Sequence, residues 1–122
     1  MKPDILFTDE SAEFYTEERC YILELSNTAE DEAVSIARAR VLPGVTTRWH
    51  VVQHDERYVI QSGNGRVEVG ELAPTEVKPG DVVRIPCNVR QRIANTGADD
   101  LVFLAICTPR FRPENYVDVE EE

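Results

Sequence analysis

An all-β sandwich or barrel is the fold class that this 122-residue sequence predicts, and three observations carry it. Turn-forming clusters recur at short, fairly even intervals, the segments between them are rich in Val, Ile and aromatic residues, and helical periodicity is nearly absent. The clusters are Pro43-Gly44, Ser62-Gly63-Asn64-Gly65, Lys78-Pro79-Gly80-Asp81 and Asn95-Thr96-Gly97-Ala98-Asp99. Each offers residues that accept positive φ or preset a turn.

Along the chain, residues 9–18 (DESAEFYTEE) are the one stretch able to form a short acidic helix, with a thin apolar face. Eight strand-like runs follow: CYILELS, AVSIARARVL, RWHVVQ, RYVIQ, RVEVGEL, DVVRIP, RQRIAN and DLVFLAICT. Several alternate apolar with polar residues, as a strand with one buried face does. Residues 101–107 are apolar throughout, which predicts a strand covered on both faces.

One domain is expected from this length, with an acidic N-terminal arm over 1–19, a β-barrel over 20–108 and an acidic tail over 109–122. Residues 1–32 hold ten acidic and two basic side chains, and 114–122 hold five acidic and none basic, which leaves 33–113 with eleven basic against eight acidic. The ends therefore read as solvated, while one or two of Arg38, Arg40, Arg48, Arg84, Arg90 and Arg92 are candidates to face a cavity. A net charge of −10 argues against nucleic-acid partners. No run reaches the ~20 apolar residues of a membrane span, and the start MKPDILFTDESAEF does not read as a secretory leader, so a cytoplasmic protein is expected. Cys20, Cys87 and Cys107 form no C-x-x-C pair and read as scattered reduced thiols.

Both histidines lie within GVTTRWHVVQHDERYVIQSG, residues 44–63. Alternate strand residues share a face, so His50, Val52 and, where the strand persists, His54 point one way. Trp49 takes the other face, as packing against a terminal segment, and Tyr58 shares the parity of Glu56. The spacing fits the pattern G-x5-H-x-H-x3,4-E-x6-G at Gly44, His50, Glu56 and Gly63, with Val52 at the second histidine. A second pattern, G-x5-P-x-G-x2-H-x3-N, is met at Gly80, Pro86 and Asn95, with Asn88 for the glycine and Gln91 for the histidine. These segments resemble the cupins, and the whole chain resembles small single-domain bacterial cupins of the RmlC-like kind, most without an assigned activity.

The resemblance implies a jelly-roll barrel in which three imidazoles and a carboxylate hold a divalent metal. Here it points to His50, Glu56 and the carbonyl oxygen of Gln91, with His54 as a weaker replacement for the imidazole missing at Val52, and to Mn, Fe, Ni or Zn bound weakly or not at all. Such a site would suit an isomerase, lyase or dioxygenase acting on a small oxygen-rich metabolite, with Tyr58 a weak candidate for an acid or substrate-orienting group. Two other readings remain open on the residues. In one, the same groups hydrogen-bond a small organic ligand without metal, as in a sensor or carrier. In the other, His50 is a satisfied strand histidine and His54 lies in an exposed turn. A homodimer is expected, because CYILELS and DLVFLAICT would leave edges or faces open in a monomer.

Overall fold

The structure, a computed structural model, describes residues 1–120 and arranges them in two antiparallel sheets that share one core. The six-stranded sheet runs, in spatial order, β1 (Phe14–Tyr15), β2 (Tyr21–Ser26), β3 (Ser35–Val41), β10 (Leu101–Thr108), β5 (Asp55–Ser62) and β8 (Val82–Ile85). The five-stranded sheet runs β11 (Tyr116–Asp118), β4 (His50–Val52), β9 (Gln91–Asn95), β6 (Gly65–Val69) and β7 (Thr75–Val77). Each of the eight expected runs contains a strand. Three short strands, β1, β7 and β11, join them without a strong sequence signal.

Among the described residues there is no α-helix, only three 3-10 turns. The stretch expected as an acidic helix makes one of these at Glu10–Ala12, where Asp9 accepts from the Ser11 amide, and then enters β1. Phe14 and Tyr15 pair with Ile22 and Tyr21, and this sheet edge offers contacts that an isolated, thinly apolar helix would lack. The two runs expected to leave open edges are placed otherwise. β10 is central, between β3 and β5, and β2 is covered by β1. Leu101, Phe103 and Cys107 of β10 are buried while Val102, Leu104 and Ile106 are half-buried, so only one face is fully covered.

Leu23, Val41, Ile60, Ile85, Ile93 and Leu101, drawn from both sheets, are essentially inaccessible. Burying each such side chain favours folding by roughly 2 to 3 kcal/mol relative to exposure. Several pattern residues fix turns rather than ligands. Gly63 has φ +81°, and a Cβ there would lie 2.5 Å from the carbonyl oxygen of Asp100, so only glycine fits. Asn88, standing where the pattern has glycine, adopts φ 65°, a conformation that asparagine tolerates. Asn95 donates to the carbonyls of Val41 and Asp99 at 2.8 Å and accepts from the Gly97 amide, tying β9 to the turn before β10. No helix of the described residues is long and apolar enough to cross a membrane.

Candidate functional site

Between the sheets lies a cavity of about 360 Å³. β4 and β9 are neighbours, with His50 opposite Gln91, and both side chains are buried. β5, in the facing sheet, turns Glu56 and Tyr58 inward by the period-two alternation of a strand. His50, Val52, Glu56 and Tyr58 line the cavity, with Phe103, Ala105 and Cys107 from β10. Gln91 sits immediately behind this wall and joins the two sheets. Its carbonyl oxygen accepts the Tyr58 hydroxyl, and its amide nitrogen donates to Glu56 Oε1 at 2.9 Å. A half-turn of the amide would exchange these roles yet leave both ends engaged, because a protonated Glu56 can donate.

The same burial that shapes this cluster holds its protons. Glu56 is buried, and burial pushes its carboxyl up to about 7, against the opposing pull of His50 and the Gln91 hydrogen bond. Its second oxygen, Oε2, receives a weak contact from the Cys107 thiol at 3.7 Å. Burial also drives the Tyr58 phenol well above its ordinary value, so it stays protonated and spends that proton on Gln91. His50 Nδ1 lies 2.8 Å from the carbonyl oxygen of Arg48. A carbonyl only accepts, so Nδ1 carries a proton and donates it, which leaves Nε2 as the ring nitrogen free for the cavity. The ring stacks on Tyr116 with centroids 5.1 Å apart.

His54 does not join this group. β4 ends at Val52, residues 53 and 54 bend, and the alternation that would align His54 with His50 is broken. It is not in an exposed turn either: it is 2% exposed, packs edge-on against Phe111 at 5.8 Å, and has no hydrogen bond at either nitrogen. Burial lowers its basicity, so it is a neutral core histidine.

The sequence reading missed Glu18. It lines the cavity with Thr16, Cys20, Ile22 and Glu24, from the turn that joins β1 to β2 and from β2 itself. Burial raises the Glu18 carboxyl to about 7, while the Cys20 thiol, 3.8 Å from its Oε2, opposes the shift. No local pattern marks it, because Glu18 lies in the turn between β1 and β2 and its burial depends on how that pair packs. None of the arginines weighed for the cavity lines it. Arg38 and Arg40 bind Glu10, Glu13 and Asp100, and Arg48 binds Asp118 and Glu120. Arg90 and Arg92 lie over the Trp49 ring at 4.4 and 4.3 Å. Arg84 is exposed and borders a shallow depression beside Arg57. The Trp49 backbone carbonyl accepts from the Val119 amide, while the contacts of its ring are the two guanidinium groups.

The sequence profile of the cupin domain matches residues 37–107, more than half of the chain. The chain belongs to the cupins. No curated protein sequence matches this cupin. Its fold recurs in solved structures at low identity. An uncharacterized protein with a double-stranded β-helix domain from Klebsiella pneumoniae superimposes with a TM-score of 0.77 at 16% identity, covering 98% of this chain and 100% of that one. An RmlC-like cupin family protein from Methanocaldococcus jannaschii gives 0.69 at 23% identity, covering 90% and 94%. Oxalate decarboxylase from Bacillus subtilis gives 0.83 at 17%, covering 98% of this cupin and 33% of that chain. At these identities the likeness is one of fold.

A divalent ion takes three or four protein donors in such a site. Here the cavity offers the Nε2 lone pair of His50 and the Glu56 carboxyl, while Gln91 is engaged at both ends, Val52 supplies no donor and His54 faces elsewhere. Among the described residues no group of three or more His, Cys, Asp or Glu is placed to hold an ion. As arranged, this donor set does not fit a resident metal.

Proposed function

We propose that this cupin binds a small organic ligand directly in its barrel cavity, with Gln91 serving as an internal brace. The observation that carries the reading is the engagement of both ends of the Gln91 amide, at the position where the family pattern has a ligating histidine. That brace fixes Glu56 and Tyr58 in the wall and leaves His50 Nε2 and one Glu56 oxygen for a guest. The remaining lining is largely apolar, with a few convergent polar groups, the composition of a small-molecule pocket. Neighbours of the fold include enzymes, among them oxalate decarboxylase and the polyketide cyclase RemF from Streptomyces resistomycificus, so the fold itself is compatible with catalysis. For this chain, binding is the function that the arrangement of residues supports best.

Calorimetric titration with Mn(II), Ni(II) and Zn(II) tests the reading, on the wild type and on Gln91→His, Gln91→Leu and Glu56→Gln. The expected result is no stoichiometric binding by the wild type at about 100 µM ion. One-to-one binding at micromolar ion, strengthened by Gln91→His and abolished by Glu56→Gln, would overturn it.

We further propose a homodimer in the cytoplasm. The outer edge strand β1 exposes Phe14 and Tyr15, and Ile5, Leu6 and Phe7 ahead of it are exposed, apolar surface that a second copy could cover. The cysteines are free, as a reducing compartment would keep them. Light scattering at micromolar concentration should give a particle of twice 13.8 kDa.

A further inference from the structure

We propose that the ligand of this cavity is a small organic cation, an ammonium or guanidinium group on an apolar body. The inference rests on the reading above, that the cavity takes an organic ligand directly, and adds the sign of its charge.

Three carboxyl groups line the cavity: Glu18 from the turn before β2, Glu24 from β2 and Glu56 from β5. Among the described residues no lysine or arginine lines it. The nearby guanidinium of Arg19 is turned outward to Glu120 and to the carbonyl of Thr46. Inside, the two deepest carboxyls accept from the Cys20 thiol at Glu18 and from the Gln91 amide and Cys107 thiol at Glu56, with His50 near Glu56. His50 donates from Nδ1 to a backbone carbonyl, which leaves Nε2 for a guest. The deep wall therefore holds two carboxyls with no lysine or arginine to neutralise them, and a cationic guest would supply that charge together with its donors.

The rest of the wall suits the body of such a guest. Phe14, Phe103 and Phe111 present aromatic surface beside the carboxyls, and the faces of such rings attract cations as well as apolar groups. A volume of about 360 Å³ lies at the lower end of small-molecule pockets. The cavity reaches solvent where Phe14 and Glu24, both exposed, contribute to its wall, which places a carboxylate at the entrance. An anionic guest would pass that carboxylate and then desolvate against two more.

Two sets of probes with matched bodies and different charge test this: phenethylammonium, phenylethanol and phenylacetate, and butylammonium, butanol and butyrate. Saturation-transfer NMR with the full chain reads their affinities to the millimolar range. Each ammonium should bind at least about tenfold tighter than its alcohol, with the carboxylate weakest. Glu18→Gln should cut that preference at least about threefold and leave the alcohol within about twofold of wild type. Glu56→Gln should act in the same sense, and Glu24→Gln, at the exposed entrance, keeps the test alive where a buried substitution disturbs folding. Alcohols binding as tightly as ammoniums would overturn the cation inference and leave direct ligand binding standing. Carboxylates binding equally or tighter, or a preference unmoved by all three substitutions, would do the same. Binding of none of the six would overturn both readings.

Discussion

The acidic residues near the chain ends and those in the cavity are the same chemical groups in opposite electrostatic settings. At the outer wall, Glu10 and Glu13 bind Arg38 and Arg40, and Glu32 binds Arg112 and Arg110. Hydrogen bonds from these guanidinium groups hold the carboxyls below their ordinary range. In the cavity, Glu18 and Glu56 have no guanidinium, and burial raises both to about 7. The contrast shows that the acidic ends do more than solvate the surface: they occupy the arginines that the central segment supplies. The cavity lining is thereby left with carboxyls and without lysine or arginine among the described residues.

The largest expected effect tests the link between the two sheets. Gln91→Leu would leave the Tyr58 hydroxyl and one Glu56 oxygen buried without partners, at a cost of about 3 kcal/mol by chemical denaturation. A loss below ~1 kcal/mol would mean that the amide is not the brace described here.

The cavity carboxyl also makes a pH-dependent contribution with a definite sign. A carboxyl raised from 4.5 to about 7 on folding contributes stability that is complete below about pH 4.5 and is lost as the pH rises through about 7. For Glu56 the full swing is up to about 3 kcal/mol. Glu56→Gln keeps the shape and removes the titration, so the decline in stability between pH 5 and pH 8 should shrink by about 2 kcal/mol. The outer acids behave oppositely, since their lowered values cost stability only as the pH falls through the acidic range. Equal pH slopes in mutant and wild type would show that Glu56 does not titrate in this window.

Arg40 probes the outer setting. It binds Glu13 and Asp100 and lies over the Tyr21 ring at 4.2 Å, with its side chain 28% exposed. Arg40→Ala should cost about 1 kcal/mol in low salt and less at high ionic strength, because partly exposed pairs are screened. A salt-independent loss would assign its contribution to packing instead.

How far the sequence anticipated this division follows from the periodicities. The strands carrying His50, Glu56, Tyr58 and Gln91 were legible because alternation and turn residues are local properties. Gly63, Gly80 and Asn95 were legible as parts of a pattern, and in the structure they serve turns and ties. Glu18 was missed because the acidic composition of 9–18 suggested a helix, whereas residues 17–20 form the turn between β1 and β2 that sets Glu18 against the cavity. The burial of His54 was missed for a different reason: it depends on Phe111, 57 positions away along the chain, which no local pattern reveals. The arginine partners were equally non-local, with Arg38 meeting Glu10 and Arg48 meeting Asp118 across the fold.

The smallest effect is expected at Lys78, whose side chain is 74% exposed and lies 3.2 Å from Asp81. The Asp81 carboxyl is held below its ordinary value, first by the Lys78 backbone amide and then by the Lys78 side chain. These two contributions separate by mutation. Lys78→Ala removes the ammonium and keeps the amide, which still donates to Asp81 Oδ2 at 2.9 Å and closes the turn between β7 and β8. The melting temperature should then move by no more than about 1 °C, since an exposed ion pair between flexible side chains contributes little. Asp81→Ala removes the acceptor of that turn amide and should lower the melting temperature clearly more. The order tests the wider contrast, because it asks whether a lowered carboxyl at the surface reports a stabilising ion pair or a backbone hydrogen bond. If Lys78→Ala proved the more damaging of the two, the outer ion pairs would matter more than their exposure allows, and the assignment of this turn to its backbone bond would fail.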